Sequence, residues 1–350
     1  MELKQDTPPA ARQLLRFVGD AVTALLPAGW RGELDGNGRG GSPALVITAP
    51  DNRSVSMPVE VRSVLDARDV PTLAAQYGAG AAPLVVARYL SSRSRAALAE
   101  IGASYVDATG NVRVCSVDPG ITIWREGAER DPWRTPDRPT TTLRGVPAAR
   151  VVRALVDRKP PWKIRELAAE SGASLASTSR TVALLGREAL LTRGESGEVA
   201  TVDWAALLER WAADYDLERR RRVAGLLQPR PLDTLNEALR KYRGEYAITG
   251  SLAAARWAPY ADSRLAIIYA ADLPALATAL NLREAPTRPN VLLIEPDDDY
   301  VFDRAQASDG LTYAAPSQVV VDLLNGPGRN PEEGLELTRW MTAHEKDWRA

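Results

Sequence analysis

Three patterns in the chain place side chains where they could do chemistry. Pro50-Asp51 precedes Glu60-Val61-Arg62, with eight residues between the two acids. Two such carboxylates can hold a divalent metal, and a nearby Lys can support an attacking water. Arg62 stands where that Lys would be, and Arg does not readily give up its proton. Pro50-Asp51-Asn52-Arg53 also has the composition of a hairpin turn. In the second pattern, Gly250-Ser251 is followed after ten residues by Asp262-Ser263-Arg264. A Gly-Ser pair opening a helix suits nucleotide phosphates, and two Asp one residue apart would hold Mg²⁺. Arg264 replaces the second Asp, so the metal pair is incomplete.

The third pattern suits contact with duplex DNA. In Ile164–Gly172 the residues Ile164, Leu167 and Ala168 make one apolar face, and Gly172 ends the helix where a sharp turn needs a permissive φ. Ser174 is placed to cap the next helix, on which Leu175, Val182, Leu185 and Leu190 are expected to face inward. Ser174, Ala176, Ser177, Arg180 and Thr181 are then left outward. Small hydroxyl residues with an Arg let a helix enter a major groove about 12 Å wide and reach phosphates and base edges. Two further polar groups read as turns or loops: Asp107-Ala108-Thr109-Gly110-Asn111, and Asp297-Asp298-Asp299 after Pro296, expected to be solvated.

The elements that must position these residues follow from periodicity and breakers. Residues 1–126 read as an α/β domain, in an order close to α-β-β-β-α-β-α-β, opening on a helix that carries Leu14, Leu15, Val18, Val22, Leu25 and Leu26. Ala44–Thr48 and Ser54–Arg62 read as a hairpin, and Pro83–Arg88 as a buried strand. Residues 127–146 lack an apolar period and read as a linker. Residues 147–203 give three helices and a two-stranded hairpin around Gly194 and Gly197. Residues 204–245 are expected to be a helical connector that includes the Arg219–Arg222 run, and 246–350 a second α/β domain. The chain is thus an α/β plus all-α multidomain protein.

Composition narrows the chemistry. The 350 residues carry a net charge of -1, with one His (His344) and one Cys (Cys115). That leaves no disulfide and no Cys/His zinc site. Charge is uneven: residues 127–245 hold 22 basic against 17 acidic residues, and 246–350 hold 9 against 15. The basic surplus falls on the three-helix segment. No apolar run reaches the roughly 18 residues that span a bilayer, and MELKQDTPPAARQ lacks the basic head and apolar core of a secretory signal. A cytoplasmic location away from any membrane is expected.

The run IRELAAESGASLASTSRTVALLGREALLTR resembles the winged helix-turn-helix of IclR-type bacterial regulators, over roughly 55 residues. The resemblance implies that the third helix reads bases through Ser174, Ser177, Thr178, Arg180 and Thr181, and that Arg193 on the wing touches backbone. The Asp51, Glu60, Arg62 pattern is similar to a restriction-endonuclease-like site, and Gly250, Ser251, Asp262 to a nucleotidyltransferase-like one, both degenerate. The three-part layout, with SLAAARWAPYADSRLAIIYA and APSQVVVDLLNGPGR, resembles the wider AbiEi-like (type IV antitoxin and regulator) group of actinobacterial proteins. The implied function is a sequence-specific, non-enzymatic regulator of transcription. It would be a homodimer on double-stranded operator DNA, with no metal or cofactor, its flanking domains sensing an effector or assembling. The alternatives are an antitoxin that neutralises a toxin, or a metal-dependent nuclease or nucleotidyltransferase.

Overall fold

The computed structural model describes residues 9, 11–36, 43–77, 83–133, 142–215, 222–285 and 287–350. It divides into two compact units, Met1–Pro139 with Arg187–Ala189, and Thr140–Gly186 with Leu190–Ala350. Both are mixed α/β, each built on a seven-stranded sheet.

In the first unit, α1 (Ala11–Thr23) buries Leu14, Phe17, Val18 and Val22 at helical spacing. Strands β1 (Arg31–Asp35), β2 (Ala44–Thr48) and β3 (Ser54–Arg62) form an antiparallel meander, with Thr48 opposite Ser54 at the second hairpin. Helix α2 (Val70–Tyr77) leads to β4 (Leu84–Ala87), and α3 (Ser92–Glu100) to β5 (Ser104–Asp107). Strands β3, β4 and β5 run parallel. Antiparallel β6 (Val112–Ser116) and β7 (Ile121–Arg125) complete the sheet, whose strand order follows the chain. The expected element order holds through β5, although no run in the sequence marks the residues of β1 or β7: β1 is a polar, half-exposed edge strand, and β7 alternates buried and exposed residues.

Strand β4 is buried along its whole length because both its faces are covered. Leu84 and Val86 share a core with α1, while Val85 and Ala87 share another with Val70, Leu73 and Leu98 of α2 and α3. At the end of β5, the fully buried Asp107 carboxylate collects five hydrogen bonds. Oδ1 accepts from the Thr109 amide (2.9 Å), the Thr109 hydroxyl (2.7 Å) and the Asn111 amide (3.1 Å). Oδ2 accepts from the Asn111 side chain (2.8 Å) and the Leu90 amide (3.0 Å). The Asp107–Asn111 stretch is the turn its composition suggests, and it is buried, an internal lock that ties two loops together.

The second unit opens with α4 (Val146–Asp157), α5 (Ile164–Ser171) and α6 (Leu175–Arg187). The hairpin β8 (Leu191–Arg193) and β9 (Val199–Val202) follows, and Trp162, between α4 and α5, adds a third rung by pairing its backbone with Val199. Next come α7 (Trp204–Ala212), β10 (Arg222–Leu227), α8 (Leu235–Lys241), β11 (Tyr246–Thr249), α9 (Gly250–Ala254) and β12 (Ala266–Ala270). The chain continues through α10 (Leu273–Ala279), β13 (Arg283–Glu284), β14 (Val291–Glu295), β15 (Gln306–Ser308) and β16 (Leu311–Tyr313). It closes with α11 (Pro316–Leu324), α12 (Asn330–Ala343) and α13 (Glu345–Trp348). The sheet order is β13-β10-β14-β12-β11-β16-β15, and only the β12–β14 and β11–β16 pairs are parallel.

Here the structure corrects the reading of 204–245 as wholly helical, because β10 pairs with β14 on one side and β13 on the other. Val223-Ala224-Gly225-Leu226-Leu227 is a short apolar run that periodicity alone does not separate from a helical segment. Arg219, Arg220 and Arg221 lie outside the described residues, as do residues 134–141 of the expected linker; Arg222 faces Glu295 at 3.7 Å.

One continuous core runs from Leu143 and α4 through the hairpin to the C-terminal sheet and Trp348. A buried polar network crosses the same interior. Thr249, Tyr269, Tyr215 and Gln318 all donate to Asp322, which is 1% exposed. Gln318 in turn accepts from Arg153 of α4 (3.1 Å). Asp298 does not sit free in solvent as expected: both its oxygens accept from Arg150 of α4 at 2.9 Å. A bidentate pair of this kind fixes orientation as well as distance. Arg349 donates to the carbonyls of Leu155 and Val156, satisfying groups that the end of α4 leaves unpaired.

Gly172 ends α5 with φ of +64°, as its place in the sequence predicts. A Cβ there would also come within 2.7 Å of the Arg150 guanidinium. Gly172→Ala is expected to lower stability by about 1 kcal/mol, the cost of a left-handed L residue. A shift in the urea midpoint, with the slope unchanged, checks this.

Candidate nucleic-acid interface

The sharp turn at Gly172 delivers the chain to Ser174, whose hydroxyl accepts from the Ser177 amide at 3.2 Å and caps α6. The Ser174 hydroxyl also donates to Ser177 Oγ (3.0 Å), and Arg180 donates to the same oxygen at 3.3 Å. Ser174, Ala176, Ser179 and Arg180 are exposed, with Ser177 and Ala183 half-buried. Val182, Leu184 and Leu185 are buried on the opposite side of the helix.

Three orientations expected from sequence are corrected. Thr178 is fully buried, its hydroxyl donating to the Ser174 carbonyl (3.0 Å), and Thr181 is 6% exposed. Both belong to the stripe of Leu185, since 178, 181 and 185 recur at helical spacing. Leu175, expected inward, is 48% exposed at the first position of α6, before the helix has come over the core. Ser179 and Ala183 take the outward places, and their signal was available: they lie three residues beyond Ala176 and Arg180.

Beside this helix, Gly194 donates to the Glu198 carbonyl (2.9 Å) and Gly197 to the Gly194 carbonyl (3.0 Å), closing the hairpin tip. Gly197 has φ of +80°, which a tight turn there requires. Arg193 is exposed on β8, and Thr192 and Thr201 share a hydrogen bond of 2.6 Å across the strands. Arg165 on α5 is a further exposed cation that sequence reasoning passed over.

The two enzyme-like patterns fare differently. Asp51 lies in the β2–β3 turn and accepts from Arg53 Nε at 2.8 Å; that guanidinium holds the Asp51 carboxyl below its ordinary range. Glu60 lies six residues along β3 from the strand's start, about 20 Å at 3.3 Å per residue. There it pairs with Arg62 (2.7 Å) and accepts from the Tyr77 hydroxyl (2.9 Å). Asp51 and Glu60 thus cannot share a metal, because they stand at opposite ends of one strand.

Gly250 and Ser251 do open α9 directly after β11, as expected. Gly250 is buried at φ of +65°, and a Cβ would meet Ile267 of β12 at 3.2 Å. Thr249 lies opposite Ile267, so this corner and the Asp262–Arg264 segment stand at the same end of the sheet. Asp262 is exposed, and the Ser251 hydroxyl donates to Asn330 Oδ1 at 3.4 Å. With just five residues, α9 adds little dipole at its start. Among the described residues, no three His, Cys, Asp or Glu side chains cluster as metal ligands, and no helix is long and apolar enough to cross a membrane.

Comparison with the profiles of known families, with curated proteins and with solved structures finds no match to this chain.

Proposed function

We propose that the chain is a sequence-specific DNA-binding regulator in which α4–α6 and the β8–β9 hairpin act as a winged helix. The observation that carries this reading is the exposed face of α6. Ala176, Ser179 and Arg180 are exposed and Ala183 is half-buried on a helix whose other side is buried, and apart from Arg180 and from Leu175 at its first position the exposed side chains are small. Arg180 is the base-reading candidate, because its forked guanidinium matches the acceptor pair of guanine. Arg193 on the wing and Arg165 on α5 supply backbone contacts.

So few cations imply modest affinity for a single copy, which favours a homodimer on two half-sites about 34 Å apart. In this reading the flanking parts sense or assemble and do not catalyse. The first unit is a nuclease-like fold without its paired acids, and 246–350 is transferase-like with Arg264 where a metal-binding Asp would be. Cytoplasmic residence follows from this role. Neutralisation of a partner toxin would rest on the same fold, and no particular contact favours it.

Gel shift against the DNA upstream of the chain's own gene tests the proposal. Arg180→Ala is expected to weaken specific binding by about tenfold or more, from the loss of about 1–3 kcal/mol of base contact. Arg193→Ala should weaken all sequences alike and reduce the salt slope by about 1. Binding unchanged in Arg180→Ala, Ser179→Glu and Arg193→Ala alike would remove α6 and the wing from the interface.

A further inference from the structure

Between α8 and α10, where β10 ends and β13 begins, the second unit holds a cleft of about 610 Å³. Its charge is one-sided. Arg230, Lys241, Arg243 and Arg283 line it, against one carboxylate, Glu237. All four cations are exposed, and none has a side-chain hydrogen bond or ion pair with a described residue. Several other arginines of this unit have carboxylate partners, as with Arg150 and Asp298, Arg153 and Asp157, and Arg210 and Asp214. Four unpaired cations around one cleft repel one another, and a bound anion would relieve that repulsion.

The cleft also has a fixed polar floor. Gln228 is 8% exposed. Its amide N–H donates to Asn290 Oδ1 (2.7 Å), its carbonyl accepts from Asn290 Nδ2 (2.8 Å), and its Oε1 accepts from the Arg230 amide (3.2 Å). The Gln228 side chain lines the cleft, and its Nε2 donates to no described residue, which leaves that N–H available to a ligand acceptor there. Tyr242 and Leu280 give one wall an apolar surface. The volume falls in the range of small-molecule sites and far exceeds what a single inorganic phosphate fills.

We propose that this cleft binds a small ligand carrying two or more phosphate groups, held by Arg230, Lys241, Arg243 and Arg283 and oriented by Gln228. None of the lining residues belongs to α6 or to the Gly250–Ser251 corner, and the proposal does not depend on the DNA-binding reading.

Isothermal titration calorimetry on the full chain, without DNA, tests this with sodium pyrophosphate and with ADP as probes. Binding of at least one probe below about 1 mM is expected. Arg230→Gln combined with Arg283→Gln should weaken it by about tenfold or more, since each substitution removes a charge-assisted contact. Gln228→Leu should weaken it less. An unchanged thermal midpoint in these variants excludes misfolding, and Lys241→Ala, which leaves the floor intact, provides a second readout. Tighter binding of ADP than of pyrophosphate assigns the Tyr242–Leu280 wall to a nucleoside; equal binding assigns the cleft to the diphosphate alone. No heat from either probe up to about 5 mM overturns the proposal. So does equal affinity in the folded double variant. Loss of duplex DNA binding without loss of pyrophosphate binding would instead make these arginines part of a DNA surface.

Discussion

Replacing Arg153 by alanine is expected to cost about 3–5 kcal/mol of stability, the usual price of stranding one half of a buried ion pair. Arg153 is 2% exposed, and its guanidinium donates in four directions: to Asp157 (2.9 Å), the Tyr300 carbonyl (3.0 Å), Gln318 (3.1 Å) and the Asp303 carbonyl (2.7 Å). Alanine would leave Asp157 buried at 3% exposure with only the Ser317 hydroxyl on its side chain. It would also orphan the Asp303 carbonyl and the Gln318 amide oxygen, while the Tyr300 carbonyl keeps the Asp303 amide. The partners come from α4 on one side and from the loop before β15 and α11 on the other, so the same change frees the helical part from the C-terminal sheet. Urea denaturation gives the size of the effect, and hydrogen exchange over residues 146–187 locates it. Arg153→Met combined with Asp157→Leu should recover part of the loss, because it removes the stranded charge but not the orphaned Asp303 carbonyl. A cost below about 1 kcal/mol for the single variant would show that water or movement of α4 replaces the network.

The second large effect is expected in the first unit. Asp107→Ala removes the acceptor of five hydrogen bonds and leaves the Leu90, Thr109 and Asn111 amides in a buried setting. Each unsatisfied buried donor costs about 1–3 kcal/mol, so a loss of at least about 3 kcal/mol is expected. Asp107→Asn should fall between, since its amide group would point a donor at donors. Hydrogen exchange read on peptides covering 84–116 distinguishes this unit from the other. Protection should collapse there and persist at 246–324, because the two units have separate cores. Protection unchanged across 84–116 would mean that the turn holds itself by backbone geometry alone.

The elements that position the proposed interface were largely legible in the sequence. Gly172 could only be a left-handed helix end, Ser174 only a cap, and Gly194 and Gly197 marked a tight hairpin, because each of these depends on a backbone within a few residues. The hairpin at Asp51 was legible for the same reason. Less legible was which α6 residues face outward. Leu175 has the type of a core residue but falls at the helix start, while Thr178 and Thr181 have polar types on the apolar stripe. A threonine can bury its methyl while its hydroxyl bonds the preceding turn, as Thr178 does to Ser174, so polarity misleads where periodicity does not.

Strand β10 and the basic cleft mark the other limit. A five-residue apolar run becomes a strand only when β13 and β14 supply its hydrogen bonds, and those partners lie 56 to 73 residues further along the chain. Arg230, Lys241, Arg243 and Arg283 are scattered across 54 residues that read as ordinary solvated charges, and only the packing of α8 and α10 on the sheet brings them to one cleft. Conversely, Asp51 and Glu60 are near in sequence yet held apart, because an extended strand separates its residues at about 3.3 Å each. By itself the sequence determined the mixed α/β character, the helix-turn-helix-hairpin segment and the missing Lys and Asp of the two enzyme-like patterns. These are matters of local backbone preference and of residue identity. The tertiary structure decided which side chains share a site, because burial, strand pairing and charge clustering depend on distances that no local segment contains.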